Sequence, residues 1–238
     1  KGRFGSCRIM RRVLSFIFGW CFIIVCVVFS IKSTALNPDF YIPKYEEMEL
    51  ASDIGVSKKD LNQSIRLLLN YLDDKRNDIK GHITWYGVSQ ETFNEKETSH
   101  MVDVKALYQN ALKVAKVAFI ILVLIVLYFY LNDKTLVFAY LSKGFLTAMF
   151  TFILMLVFFG FWILTDFTSF WTWFHTIFFS NQLWLLDPNT DFMICMLPEM
   201  IFYKLVLTCV IKVILSSVLA SVLAIYYMVK KAPIGFER

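Results

Sequence analysis

Apolar residues fall along this chain in four long runs, and the charged residues are gathered between them. Residues 13–31 form 19 positions without a charge. Residues 117–131 reach 18 when the turn from Val114 to Lys116 is added. Residues 144–165 supply 22 uncharged positions, and residues 201–229 are broken only by Lys204 and Lys212. Eighteen residues of helix rise about 27 Å, close to the roughly 30 Å of a bilayer's hydrocarbon core. The pattern predicts four transmembrane helices. A secretory signal peptide is the rival for the first run. It is disfavoured because the run is long and no small-x-small cleavage site follows.

The polar stretches carry shorter periodicities. Asn37-Pro38 and Ile42-Pro43 predict an extended exit from the first span. Ser57-Lys58-Lys59-Asp60 resembles a helix-capping box with Asp in place of Glu or Gln. Leu61, Ile65, Leu68, Leu69 and Leu72 then recur at helical spacing. Residues 83–88 are β-prone, and 95–110 are polar and helix-compatible. In 166–184, eight of 19 residues are Phe or Trp, which suits a helix lying at headgroup depth. Residues 187–191 read as a turn that Thr190 or Asp191 closes as a cap, and Pro198-Glu199 suits the first turn of the last helix. The expected fold is a mainly α membrane protein, with four transmembrane helices, a mixed α+β extracytoplasmic domain and an aromatic interfacial helix.

Composition agrees. Hydrophobic residues make up 58% of the 238, Phe alone contributes 24, and the mean hydropathy is +0.58. A chain of this size has no single core able to bury that much apolar surface, so a water-soluble globule, a disordered chain and a disulfide scaffold are set aside. The net charge of +5 says less than its distribution. Residues 1–12 hold Lys1, Arg3, Arg8, Arg11 and Arg12 with no acid, while 32–110 hold 10 basic against 13 acidic residues and 166–200 hold four acids and no base. The link holds Lys134 and Lys143 against Asp133, and the tail holds Lys230, Lys231 and Arg238 against Glu237. The bias of Lys and Arg toward the cytoplasm orients the chain with both termini inside.

The resulting division is 1–31 for the basic N-terminus and first span, 32–113 for the extracytoplasmic domain, 114–131 for the second span and 132–143 for a cytoplasmic link. The third span is 144–165, the outer interfacial segment 166–200, and the fourth span with the C-terminus 201–238. A basic stretch before an apolar run reads as a cytoplasmic anchor, and no aromatic-interleaved basic face for nucleic acid is present. Cys7, Cys21, Cys26, Cys195 and Cys209 lack zinc spacing and read as small apolar residues, with no disulfide expected outside the cytoplasm.

Chemistry is confined to few residues. The three histidines, His82, His100 and His175, all fall in the predicted outer segments. On a helix, Glu97, His100 and Asp103 would share a face as successive neighbours, so that a carboxylate stands beside an imidazole and raises its basicity. His175 sits within the aromatic belt, and Asp187, Asp191 and Glu199 lie on the same outer side. Two histidines plus these acids leave a metal site open, although no HExxH pair fixes two ligands on one element. Lys212, deep in the fourth span, is either functional or snorkelling. No GxSxG elbow, P-loop or GxGxxG occurs.

Two blocks carry a resemblance. One is Glu97-Thr98-Ser99-His100-Met101-Val102-Asp103-Val104-Lys105. The other runs Phe174-His175-Thr176-Ile177-Phe178-Phe179, Trp184, Leu186-Asp187-Pro188, Thr190-Asp191 and Met196-Leu197-Pro198-Glu199. With four spans and a large first outer segment, the chain resembles the bacterial lipoprotein intramolecular transacylase family. That resemblance implies a multi-pass enzyme of the bacterial cytoplasmic membrane with its active site on the outer face. It implies movement of the sn-2 acyl chain of a diacylglyceryl-modified lipoprotein onto the α-amino group of the lipoprotein's N-terminal cysteine, giving the lyso form. The two family histidines match His100 and His175.

The residues suit this chemistry. An α-amine of pKa about 8 must lose a proton before it attacks an ester, and the departing alkoxide must regain one. Asp103 would orient His100, Asp191 and Glu199 would give polar support, and Trp184 would shape the site. Ester becomes amide, which is downhill, so no cofactor and no metal are expected. The partners are diacylglyceryl lipoproteins and membrane lipids, and a monomer suffices for an intramolecular reaction. Two other readings stay open: a metal-dependent membrane hydrolase using the same histidines, and a non-enzymatic sensor or assembly protein.

Overall fold

The computed structural model describes residues 2–132 and 134–230, with side chains from Arg8 onward. Lys1, Asp133, Lys231, Glu237 and Arg238, which entered the charge argument, lie outside the described residues, as do the side chains of Arg3 and Cys7. The elements in chain order are α1 (Gly2–Ala35), α2 (Pro38–Glu47), α3 (Leu50–Asp53), α4 (Lys58–Leu72), β1 (His82–Trp85) and β2 (Val88–Glu91). They continue as α5 (Glu95–Asn132), α6 (Val137–Thr165), α7 (Phe167–Phe178), α8 (Phe192–Met196) and α9 (Glu199–Lys230). Four helices are long and apolar enough to cross a membrane: Arg8–Ala35 of α1, and α5, α6 and α9. The chain is a mainly helical, multi-pass membrane protein.

The chain divides into two compact units. The first comprises the described residues within 1–30, 112–165 and 210–238. In it α1 and α6 approach closely, because glycines meet there. A Cβ on Gly144 would stand 2.1 Å from the Ser15 carbonyl oxygen, and one on Gly19 would stand 2.6 Å from the Ala148 Cβ. Small residues that let backbones approach are the usual device where lipid removes any hydrophobic drive between helices. Phe145, Ala148, Met149 and Phe152 of α6 pack with Ile23 of α1, and Arg11 donates to the Tyr140 hydroxyl at 2.9 Å. The third span begins earlier than the hydropathy pattern suggests. Residues 137–143 contain no Gly or Pro, and they bury Val137, Ala139 and Leu141, so the helix runs through Lys143.

The second unit comprises 31–111 and 166–209. The extended exit expected at Asn37-Pro38 is instead a helix. The Asn37 side chain accepts from the Asp39 N–H, Pro38 takes the first position where its missing N–H costs nothing, and Pro43 is carried inside the helix. Ser57 caps α4 by accepting from the Asp60 N–H at 3.0 Å. The leucine stripe of α4 is buried in a core with Phe40, Tyr41, Tyr45, Phe192, Met196 and Ile201. The β-prone stretch folds back as a hairpin in which Trp85 pairs with Val88. Tyr86 and Gly87 between them both have positive φ (47° and 82°), the conformation a two-residue turn needs to match strand twist. Trp85 anchors the hairpin: its indole N–H donates to the Ile54 carbonyl, and its ring packs edge-on against Phe192.

Candidate active site

The first turn of α5 is set by Asn94. Its side chain accepts from the Glu97 N–H at 2.9 Å, while Glu97 Oε2 accepts from the Asn94 N–H at 2.7 Å. This reciprocal box starts the helix that presents His100 one turn later. At the other side, Asp166 caps α7 by accepting from the Ser169 N–H, and α7 presents His175 in its last turn. The two imidazoles are brought together: their centroids lie 6.2 Å apart, and the residues are 5% and 8% exposed. Phe179 contacts both rings, at 5.2 Å from His100 and 5.6 Å from His175. Trp184 stacks on His175 at 4.9 Å, and Trp171 meets it edge-on at 4.8 Å.

The two histidines differ chemically. His175 Nδ1 lies 2.7 Å from the Trp171 carbonyl oxygen. A carbonyl only accepts, so Nδ1 carries the hydrogen and Nε2 keeps the lone pair of the neutral ring. His100 Nδ1 is buried and has no hydrogen-bond partner among the described residues. Burial, and then the neighbouring His175, push His100 down to about 4, against the opposing pull of Asp103. Burial also lowers His175, opposed by its bond to Trp171. Burial thus favours the neutral form of both rings.

The three acids each have hydrogen-bond partners of their own. Asp103 does not bond to the His100 ring; its carboxylate accepts from the Asn181 amide at 2.8 Å. Asp191 precedes α8, but its side chain makes no capping bond. It is drawn instead to better donors: Lys96 Nζ at 3.0 Å, the Asn94 amide at 2.8 Å and the Asp187 N–H at 2.7 Å. Burial acts to raise Asp191, yet the bonds from the Asp187 backbone, Asn94, Lys96 and Thr190 together hold it below the ordinary carboxylate value. Glu199, in the first turn of α9, accepts from the Thr168 hydroxyl at 2.7 Å. Trp184 has its ring centroid 4.9 Å from that of His175. His82 is exposed on β1, and Lys212 is exposed on α9. Among the described residues no three His, Cys, Asp or Glu side chains are grouped as a metal site.

Asn94, Lys96 and Asn181 are not among the residues the sequence singles out, and Trp171 and Phe179 enter there only within the aromatic stretch 166–184. Asn94 was the accessible one, because Asn-x-x-Glu ahead of a helical stretch is a capping signature. Lys96 and Asn181 follow only from the contacts that residues 181–191 make with α5, which no local pattern encodes, whereas Trp171 and Phe179 lie four positions to either side of His175.

Fold and site together define a multi-pass membrane protein with a buried, aromatic-walled histidine pair. The family model for lipoprotein intramolecular transacylase Lit matches residues 16–202, most of the chain, and the chain belongs to that family of enzymes. Solved structures with the same fold include the membrane integral lipoprotein intramolecular transacylase Lit from Bacillus cereus. It is 21% identical, with a TM-score of 0.73 over 93% of this chain and 97% of that one. Two forms of the Bacillus cereus protein carry a histidine substitution, to arginine or to alanine. Each is 18% identical with a TM-score of 0.72, over 97% and 96% of this chain respectively and 98% of theirs. A comparison with curated proteins gave no match.

Proposed function

We propose that this chain moves the sn-2 acyl chain of a diacylglyceryl-modified lipoprotein to the α-amino group of that lipoprotein's N-terminal cysteine, with His175 carrying the proton and His100 as the oxyanion donor. The observation that carries the reading is the pair itself: two buried imidazoles side by side in a member of a transacylase family. His175 is the base. Its Nε2 lone pair takes the proton of the attacking amine, and the Trp171 carbonyl supports the imidazolium that forms. His100, kept neutral, offers an N–H to the oxygen of the tetrahedral intermediate. The bond from the amine nitrogen to the acyl carbon forms, the bond between that acyl carbon and the sn-2 oxygen breaks, and the proton held on His175 passes to the departing sn-2 alkoxide. Amine and ester belong to one molecule, so proximity supplies up to about 7–11 kcal/mol of the barrier in ideal cases.

In this reading both termini face the cytoplasm, residues 32–113 and 166–200 lie outside, and α7 rests at the lipid interface. Trp184 shapes the site by stacking on His175, Asp103 acts on His100 through charge alone, and Asp191 braces the loop that bears Trp184. Glu199 supports the site from a distance by joining α9 to α7. A single chain completes the reaction without a cofactor.

The test is mass spectrometry of a lipoprotein's N-terminal lipopeptide from cells holding the wild type, no enzyme, His100→Ala or His175→Ala. The wild type is expected to give N-acyl, monoacylglyceryl cysteine at unchanged acyl mass, and each variant to lose about 10²–10⁴-fold in rate. Diacylglyceryl product throughout, with folded protein and substrate present, overturns the reading.

A further inference from the structure

Glu97 holds a carboxylate that the two histidines do not use. It is 1% exposed, and both its oxygens accept from backbone N–H groups: Oε2 from Asn94, and Oε1 from Met193 at the start of α8. One side chain therefore ties the first turns of two helices. Around it, Asn94 and Lys96 hold Asp191, and Lys96 Nζ also donates to the Leu185 carbonyl at 2.6 Å. The segment held this way, 185–193, directly follows Trp184, the ring stacked on His175. His100 stands one turn beyond Glu97 on α5. An exposed capping box would start α5 at no cost in buried charge, whereas a carboxylate taken out of water costs several kcal/mol before its hydrogen bonds offset it. That cost is understandable if the second bond, to Met193, serves the site.

We infer that Glu97 is a positioning residue: its ionised carboxylate fixes segment 185–193 against the first turn of α5 and so sets the spacing of His100 and His175. The inference rests on the transacylase reading. Two N–H donors need two acceptor oxygens, which the ion supplies; the neutral acid keeps one good acceptor and adds an O–H. Burial raises Glu97 to about 7, against the two backbone bonds. The charged and titratable groups around it are Asp191, which raises it further, Lys96, which lowers it, the Cys195 thiol, itself raised by burial and then by Glu97, and His100 on the next turn. The clamp is complete above pH 7 and loosened below it.

The experiment is a pH series of kcat and KM for purified wild type, Glu97→Gln and Glu97→Asp, using a synthetic diacylglyceryl lipopeptide. Dividing wild-type by variant kcat cancels the titration of the substrate amine. For Glu97→Gln that ratio should climb about tenfold from pH 6 to pH 8 with KM unchanged, since Gln mimics the protonated acid. Glu97→Asp, which keeps the charge but is shorter, should be slower yet retain the pH dependence. A ratio that stays flat for Glu97→Gln while His100→Ala is inactive overturns the positioning role and leaves the transacylase reading standing. Should Glu97→Gln fail to fold, Glu97→Asp decides alone: wild-type kcat at pH 8 in a folded Glu97→Asp also overturns the role. A folded wild type that converts nothing at any pH overturns both.

Discussion

Phe161 on α6 and Ile65 on α4 are both large apolar side chains on helices, and the molecule treats them in opposite ways. Ile65 is 0% exposed, locked in a core with Leu61, Leu68 and Phe192; Phe161 is 71% exposed, as are Phe150 and Phe158 to nearly the same degree. In the first unit apolar side chains need no protein partner, because lipid serves as their solvent. In the second unit the apolar side chains of α4 pack against one another, as the hydrophobic effect favours. The polar interiors differ too. The first unit buries hydroxyls such as Ser15, whose Oγ donates to its own helix at the Arg11 carbonyl, whereas the second buries Glu97, His100, His175 and Asp191. One unit brings two helix backbones into close approach, and the other holds buried ionisable groups in addition to its apolar core.

The sharpest way to break this contrast is truncation. Ile65→Ala should cost about 2–5 kcal/mol, the range for emptying a tightly packed site. Phe161→Ala, with lipid or detergent to fill the space, should cost under about 1 kcal/mol. Thermal unfolding in detergent measures both. Equal losses would mean that the α6 face is a protein interface rather than a lipid-facing surface.

The same contrast explains what could be read from the chain alone. Spans were legible because 18 or more apolar residues admit few structures, and α4 was legible because its stripe has one period. The hairpin was legible as β but not as two strands, since a Tyr-Gly turn is a weaker signal than Asn-Gly. The helix at Pro38 was missed because two prolines argue against a helix unless the first sits at its start. The histidines were legible as residues, and the resemblance paired them. Their tautomer asymmetry was not, because it depends on a backbone carbonyl at Trp171. Asp103 was paired with His100 on spacing alone, yet Asn181, which arrives from 78 positions along the chain, takes its carboxylate.

A second test concerns pH and the ionisable interior. His100 is held near 4, below its ordinary 6.5, so the unfolded chain binds the extra proton and stability rises with pH between those values. Glu97 is raised from 4.5 to about 7, so the folded chain binds the extra proton and stability falls with pH across that window. Each slope is at most about 1.4 kcal/mol per pH unit, and the two nearly cancel in the wild type. Removing one should expose the other. Unfolding midpoints from pH 4.5 to 7 should rise with pH in Glu97→Gln and rise less, or fall, in His100→Ala. Parallel profiles for the two variants would show that neither group is ionised as the fold implies.

The smallest expected effect tests the first unit on its own terms. Gly144 and Gly160 both lie on α6, and by helix propensity alone replacing either with Ala should stabilise by up to about 1 kcal/mol. Their surroundings separate them. The Cβ of an alanine at 144 would stand 2.1 Å from the Ser15 carbonyl, while one at 160 meets nothing within 4 Å. Backbone of α1 cannot rotate aside as a side chain can, so Gly144→Ala must push α1 and α6 apart and should cost about 1–3 kcal/mol. Gly160→Ala should hold its midpoint or raise it. Neither change touches His100 or His175, so turnover by folded Gly144→Ala at a permissive temperature should stay near wild type. A Gly144→Ala protein as stable as Gly160→Ala would mean that α1 and α6 do not rely on this close approach.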